Sequence, residues 1–436
     1  MIRRLIAVLM VLALASPGTA QTPIAAPHII ADRALSARAN ELAEIVSGTG
    51  DYQAYFAPSF HAALSKDKWD AVIAQLTSQL GKFQSIQSIT AATPFSASLR
   101  LKFERGIVNA QIAVDSAPPH QVVGLLFTGI EVAGDTVDKL AADFRALPGS
   151  SGLGIFVLAS GTPKLVIGVN AERAAPLGSA FKLWVLGELA REVIAGERNW
   201  AEVVAIGPPS LPSGIMQGWP RASPVTVHTL ATLMISISDN TATDTLVTLE
   251  GTKLDAFVTA TGAPGLAPIV TTRQMFVMKS AANADLAKRW TETISPASRR
   301  SFLTTNAARF AATPIEPSMF SDRPMSIETL EWFASPAQTA TVLDWIRTKG
   351  SATALAILAT NPGVDPATRG KFAYLGFKGG SEPGVLALNF LVKRTDGRWL
   401  AITGNWHRSD AAVDTAPFVQ LMTRALALMA DTPLPR

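Results

Sequence analysis

The residues that could do chemistry in this chain begin with a serine and a lysine three positions apart, Ser179 and Lys182. If a helix begins at Ser179, the two side chains share one face of its first turn. A serine hydroxyl is a weak nucleophile until a neighbouring base takes its proton. A lysine can be that base when burial and nearby positive charge lower its pKa. The pair therefore indicates a serine nucleophile with a lysine base, at a helix N-terminus that could also stabilise an oxyanion.

Alone, this pair is weak evidence, because about one such spacing is expected by chance in a chain of this length. The stretch Ser65-Lys66-Asp67-Lys68 has the same spacing, and we interpret it as solvated surface. Ser179 differs because a predicted strand pair and a loop ending in Leu177-Gly178 lead directly into it.

A second polar group, Ser238-Asp239-Asn240, ends an apolar-periodic run over residues 230–237. Because these residue types are favoured in turns, one interpretation is a polar turn between helices. In the functional interpretation, the Ser238 hydroxyl relays a proton to a leaving group. Asn240 then holds the Lys182 side chain and a substrate amide, and Asp239 braces the loop.

A third group, Lys378-Gly379-Gly380-Ser381, follows a strand predicted over residues 374–377. Glycine has no Cβ, so another backbone or a reacting carbonyl can approach it closely. Two interpretations stay open. The strand either turns at the two glycines, or it presents a cation to an anionic substrate group beside bare backbone.

The elements predicted around these groups form one sheet, whose strands come from both ends of residues 150–436. Mostly helical sequence lies between its strands, and Asp396-Gly397 marks a hairpin turn. Strands are predicted at 154–158, 165–169, 373–377, 385–393 and 399–403, with helices at 179–195 and 417–429. This order predicts an α+β domain over residues 150–436, an antiparallel sheet flanked by helices.

The three groups, in this order and context, resemble the motifs of class A β-lactamases and penicillin-binding proteins, a superfamily of serine acyl-enzymes. The resemblance implies a β-lactamase/transpeptidase-like fold over about residues 150–436. It implies that Ser179 is the nucleophile, Lys182 a general base or proton relay, and Ser238 a second relay.

The same resemblance implies the substrate-binding residues. Asn240 would contact the substrate, and Lys378 would anchor its carboxylate beside Gly380. The backbone N–H groups of Ser179 and Ser381 would form the oxyanion hole.

Two departures from the family pattern bear on activity. At Gly379 the family usually has threonine or serine, and a lost charge-assisted hydrogen bond costs on the order of 1.5–3 kcal/mol unless Ser381 compensates. Class A enzymes also activate the deacylating water with a glutamate after the second motif. This chain has no acidic residue between Asp255 and Asp285, so we expect slow deacylation or another base.

The pattern of residues 30–130 predicts a separate small α+β domain. Apolar residues first recur at helical spacing and then alternate with polar ones, as in strands. Its element order resembles cystatin and NTF2-like folds, for which we expect an interface or positioning role. An NTF2-like module before a β-lactamase-like domain resembles the esterase-like protein of clavulanic-acid gene clusters, which implies ester or acyl substrates.

Residues 1–20 predict a signal peptide: Arg3 and Arg4, an apolar run over 5–15, and Gly18-Thr19-Ala20 before the cleavage point. The alternative is an uncleaved anchor, but the run is shorter than the ~20 residues that span a bilayer. We expect a periplasmic or secreted protein without stable membrane insertion.

The composition excludes several classes of site. Without cysteine, the chain cannot form a thiolate metal site, a disulfide or a cysteine nucleophile. The net charge is only +4 and no basic cluster is present, so we expect no nucleic-acid partner. The five histidines show no metal-ligand spacing, so we expect neither a metal nor another cofactor.

We therefore expect an exported serine hydrolase that forms an acyl-enzyme at Ser179 on a small molecule, a β-lactam or a related ester or amide. Such an activity would belong to β-lactam breakdown and antibiotic resistance. Two alternatives stay open: an esterase or D-peptidase with little β-lactam turnover, and a penicillin-binding sensor module that is acylated once without hydrolysis.

Overall fold

Two antiparallel sheets organise the chain. The structure is a computed structural model that describes residues 30–315 and 323–433. The predicted signal peptide at residues 1–20 lies outside the described residues.

The first sheet is a four-stranded meander in which each strand pairs with the next. Its inward side chains alternate along the strands, as Leu99, Leu101 and Phe103 show, and they pack against the preceding helices. A small α+β unit is therefore present, while its identity as an NTF2-like fold stays a prediction. Its elements are α1 (Arg33–Ser47), α2 (Tyr52–Tyr55), α3 (Pro58–Ala63), α4 (Lys66–Leu80), β1 (Phe83–Thr93), β2 (Ser96–Phe103), β3 (Gly106–Val114) and β4 (Val122–Val132).

The second sheet has five strands and draws them from both ends of the remaining chain, as predicted. Its elements, with the helices next to its strands in the chain, are α5 (Val137–Ala146), β5 (Ser150–Leu158), β6 (Lys164–Val169), β11 (Phe372–Glu382), β12 (Val385–Arg394), β13 (Trp399–His407) and α17 (Thr415–Asp431). The strand order is β11-β12-β13-β5-β6.

Helices fill most of the sequence between these two groups of strands. They are α6 (Lys182–Ile194), α7 (Val227–Ser236), α8 (Asn240–Glu250), α9 (Thr252–Ala260), α10 (Thr272–Lys279), α11 (Ala284–Glu292), α12 (Pro296–Thr305), α13 (Ala307–Ala312), α14 (Pro336–Lys349), α15 (Ala352–Leu358) and α16 (Pro366–Gly370). Two short strand pairs accompany them: β7 (Ala175–Pro176) with β10 (Phe333–Ala334), and β8 (Val203–Ala205) with β9 (Pro224–Thr226).

Strands β12 and β13 are buried along most of their length, because helices cover both faces of the sheet. Helices α6 and α14 pack together on one side, where α14 contacts β5 and β13, and α5 and α17 cover the other side. Neighbouring residues of β13 therefore enter different cores: Ala401 lies on the α14 side, while Leu400 and Ile402 lie on the α17 side. The predicted α+β fold, an antiparallel sheet flanked by helices, is confirmed.

The structure differs from the predicted elements at two places. Helix α5, in the stretch left between the two predicted domains, packs on β5 and β6. Strand β11 continues through Lys378–Ser381 to Glu382, so the interpretation of a turn at the two glycines is wrong. The chain instead turns at Pro383-Gly384, where Gly384 has a φ of 84°.

The two units contact each other through β4 and α17. Arg424 of α17 forms a bidentate ion pair with Asp135, which lies between β4 and α5. Among the described helices, none combines the length and apolar character needed to cross a membrane.

Candidate active site

Ser179 lies in a short 3₁₀ turn, Gly178–Phe181, that leads directly into α6. Strand β11 packs closely against this turn. A Cβ on Gly380 would lie 2.7 Å from Ser179 N, and a Cβ on Gly178 would lie 2.8 Å from Ser381 N. Both positions therefore require glycine, and Gly178 also has a φ of 50°. The contact brings the backbone N–H groups of Ser179 and Ser381 to one junction.

Lys182 is the first residue of α6 and is completely buried. Its Nζ lies 2.8 Å from Ser238 O, 2.7 Å from Asn240 Oδ1 and 3.0 Å from Ser238 Oγ. A neutral lysine amine has two N–H groups and one lone pair. The two carbonyl oxygens can accept only from N–H groups, so they leave the lone pair for a hydroxyl hydrogen.

The loop between α7 and α8 holds Ser238 in the left-handed region, with a φ of 59°. Asp239 braces this loop, as predicted from its place in the second polar group. Its carboxylate accepts hydrogen bonds from the backbone N–H groups of Ile215, Met216 and Ala242 at 2.7–2.9 Å. The left-handed backbone turns the Ser238 side chain and carbonyl toward one amine.

Lys378 approaches the same serine from β11. Its Nζ donates to Ser238 Oγ at 3.1 Å and to Gly379 O at 2.6 Å. Ser238 Oγ thus lies between two lysine nitrogens, and three distant stretches of sequence meet at one hydroxyl.

Burial and the neighbouring lysine set the electrostatics of this site. Burial, assisted by the charge of Lys378, holds the pKa of Lys182 well below its usual range, although Asp244 and Asp239 oppose the shift. Burial also lowers the pKa of Lys378 to about 7. The arrangement therefore favours a neutral amine at Lys182.

Ser179 is partly exposed, and its Oγ has no hydrogen-bond partner within residues 30–315 and 323–433. The Ser381 side chain is exposed on the face of β11 that Gly379 shares, since side chains alternate along a strand. At Gly379 itself, a Cβ would lie 2.9 Å from Phe377 Cζ and 3.3 Å from Leu388 Cδ2. A hydroxyl-bearing residue there would push against these apolar groups.

The segment that follows α9 in place of a glutamate-bearing loop is held by Asp244. This carboxylate accepts hydrogen bonds from Thr272 N, Thr272 Oγ1 and Arg273 N at 2.6–3.0 Å. The Arg273 guanidinium donates to the carbonyl oxygens at the end of α13, so it caps that helix. Asp244 was missed in the sequence, although its position four residues after Asn240 places both on one helix face.

The other serine–lysine pair lies on the surface, as predicted. Lys66 forms an exposed ion pair with Asp70 at the start of α4. No group of three or more histidine or acidic side chains among the described residues is arranged to hold a metal ion.

Residues 136–310 match the model of the beta-lactamase enzyme family. The match covers part of the domain predicted over residues 150–436 and supports its resemblance to the serine β-lactamases and penicillin-binding proteins. Within the β-lactamase-like domain, the site lies where the matched segment meets β11.

Solved structures of low similarity include β-lactamases and a penicillin-binding protein. A mutant of PBP-A, in an acyl-enzyme complex with penicillin G, is 16% identical over 67% of this chain and 95% of its own, with a TM-score of 0.46. A β-lactamase from Sphaerobacter thermophilus is 20% identical over 67% and 96%, with a TM-score of 0.43. One from Xanthomonas campestris is 18% identical over 67% and 97%, with a TM-score of 0.45. No curated protein matches the chain.

Asp239→Ala tests how strongly the loop of the β-lactamase-like domain is held. The change leaves three backbone N–H groups without their acceptor. We expect the free energy of unfolding to fall by about 5 kcal/mol or more, because each of the three hydrogen bonds to this charged group contributes about 1.5–3 kcal/mol. Urea denaturation measures this loss.

Asp414→Ala is the matched control, since Asp414 caps α17 at an exposed position with a hydrogen bond to Ala416 N. Its expected cost is about 0.5–2 kcal/mol. Equal losses in the two variants would show that Asp239 is only an ordinary cap.

Proposed function

We propose that this protein is an exported active-site serine hydrolase that forms an acyl-enzyme at Ser179 with β-lactams or related esters and amides. The observation that carries the proposal is the buried Lys182 amine, held by two carbonyl oxygens beside the hydroxyl of Ser238. A base with a lowered pKa is what a serine nucleophile on the same helical turn requires.

In the proposed acylation, the Ser179 hydroxyl gives its proton to Lys182 while its oxygen attacks the substrate carbonyl. The backbone N–H groups of Ser179 and Ser381 stabilise the negative oxygen that develops there. Ser238 then donates its proton to the leaving nitrogen or oxygen and recovers one from the Lys182 ammonium. The bond to the leaving group breaks, and the acyl group stays on Ser179.

Below its pKa of about 7, Lys378 contributes positive charge to this proton path. Its cation disfavours an ammonium at Lys182 and stabilises electron density on Ser238 Oγ as the proton leaves. Its buried amine is anchored to Gly379 O, so it acts on the substrate mainly through its field.

Hydrolysis of the acyl-enzyme is the step for which the site is least equipped. The segment between Asp255 and Asp285 brings no carboxylate, and Asp244 is already occupied by three donors. Lys182 is the remaining candidate base for the hydrolytic water. This favours a long-lived adduct over rapid β-lactam turnover.

The first alternative is an esterase or D-peptidase with little β-lactam turnover, favoured by the missing hydroxyl at Gly379. The second is a penicillin-binding sensor module that keeps its acyl group, favoured by the missing deacylation glutamate. In each case the partner is a small molecule, and the leader at residues 1–20 would direct the protein to the periplasm or the exterior.

Intact-mass analysis with a chromogenic cephalosporin and a p-nitrophenyl ester tests the nucleophile. The wild-type protein should gain one acyl group, and Ser179→Ala should gain none because the attacking oxygen is gone. Ser65→Ala, which removes the serine of the surface pair, is the control and should label like the wild type.

The three functions separate in the same assay. Continuous cephalosporin turnover indicates a β-lactamase, a stable mass increase a sensor, and ester hydrolysis alone an esterase. Labelling of Ser179→Ala at the wild-type rate would refute the assignment of the nucleophile.

The pH dependence of acylation tests the coupling of the two lysines. The wild-type rate should rise as Lys182 loses its proton. In Lys378→Met the nearby cation is absent, so the ammonium form of Lys182 is less disfavoured and its pKa rises. We expect the acid limb of the acylation rate to move to higher pH.

Lys288→Met serves as the charge control, because the Lys288 side chain is 76% exposed and should leave the limb in place. If the acid limb of the acylation rate in Lys378→Met is unchanged or moves to lower pH, the coupling of the two lysines is contradicted.

A further inference from the structure

A buried ion cluster, formed by Lys279, Glu331 and Glu382, lies behind the proposed oxyanion hole. Lys279 Nζ contacts Glu331 Oε1 at 3.1 Å and also pairs with Glu382 Oε1. The side chains of Lys279 and Glu331 are 5% and 1% exposed. Desolvating such charges is costly unless the geometry holds each of them in place, and the proton path proposed above uses none of them.

Glu331 connects the cluster to the turn that carries the nucleophile. Its Oε2 accepts hydrogen bonds from Gly178 N at 3.0 Å and from Trp332 N at 3.1 Å. Gly178 directly precedes Ser179 and lies against Ser381 N. The Glu331 carboxylate therefore holds the turn that supplies the Ser179 N–H group.

Glu382 connects the cluster to the strand that carries Ser381. It is the last residue of β11 and directly follows Ser381. Lys279, at the end of α10, thus bridges two carboxylates. Glu331 is bonded to the turn that carries Ser179, and Glu382 lies on the strand that supplies the Ser381 N–H group.

Lys279 supplies the positive charge of this cluster, between two buried carboxyl groups. Burial and Glu331 raise the pKa of Glu382 well above its usual range, although Lys279 opposes the shift. Burial favours a neutral amine at Lys279, but Glu331 and Glu382 prevail and raise its pKa. Removal of the ammonium would leave two buried carboxyl groups that repel each other when both are ionised.

We propose that Lys279 is a positioning residue, whose ammonium holds Glu331 and Glu382 together and thereby sets the spacing of the Ser179 and Ser381 N–H groups. The role rests on the proposed function, because it assigns the cluster to the oxyanion hole of that reaction. A misplacement of about 1 Å, or loss of one oxyanion donor, costs on the order of 10²-fold in rate.

The first test is the acylation rate of Lys279→Met with the p-nitrophenyl ester, compared with the exposed-charge control Lys288→Met. We expect a loss on the order of 10²-fold in the acylation rate constant with little change in the ester concentration needed for half-saturation. The double variant Lys279→Met, Glu382→Gln should recover most of the rate, since its amide can donate to Glu331 instead of repelling it.

The second test, amide hydrogen exchange of the free protein, needs no activity. Peptides containing Gly178 and Ser381 should exchange faster in Lys279→Met than in Lys288→Met, and the double variant should restore their protection. If Lys279→Met does not fold, Glu331→Gln makes the same test, with faster exchange at Gly178 and about tenfold slower acylation.

The outcomes separate the two proposals. If the wild-type protein is not acylated at all, the proposed function fails, and unchanged exchange in the variant then overturns the positioning role as well. If the wild type is acylated and Lys279→Met, or Glu331→Gln in its place, matches it in rate and exchange, the positioning role alone is wrong. A rate loss that Glu382→Gln does not recover also overturns it.

Discussion

The burial of two lysine side chains around one serine hydroxyl is the constraint on which the rest of the site depends. A buried ammonium loses its hydration, so the neutral amine becomes the favoured form unless carboxylates compensate. Here Lys182 and Lys378 meet at Ser238 Oγ, and the charge of Lys378 adds to burial in lowering the pKa of Lys182. In the proposed reaction, the same desolvation that costs stability would supply a base for Ser179.

The fold meets this constraint by joining segments that are far apart in sequence. Helix α6 supplies Lys182, the α7–α8 loop supplies Ser238, and an edge strand of the five-stranded sheet supplies Lys378. Each segment is fixed by contacts outside the reaction: Asp239 holds the loop, and the glycines at 178 and 380 allow strand and turn to approach closely. These contacts stabilise the segments that carry the site, while Ser179 Oγ has no hydrogen-bond partner in the described chain.

The sequence predicted a sheet built from both ends of the segment, the flanking helices and the residues that converge, because these depend on local periodicity and on short motifs. The predicted strand pair and loop before Ser179 distinguished it from Ser65 of the surface pair. Motif spacing could not show that Lys378 lies within a strand or that Phe377 excludes a side chain at Gly379, because both are tertiary contacts. The cluster of Lys279, Glu331 and Glu382 joins three distant positions with no recurring spacing, so no local pattern indicates it.

The most direct test of the account is the ionisation of Lys182 in the folded protein. Nuclear magnetic resonance of proteins with isotope-labelled lysine side chains follows each amine through a pH titration, and the signal of Lys182 is the one absent from Lys182→Met. We predict that this amine titrates well below the ordinary value of 10.5. A Lys182 signal that titrates at or above 10.5 would contradict it, because a permanently charged ammonium cannot accept the proton of Ser179.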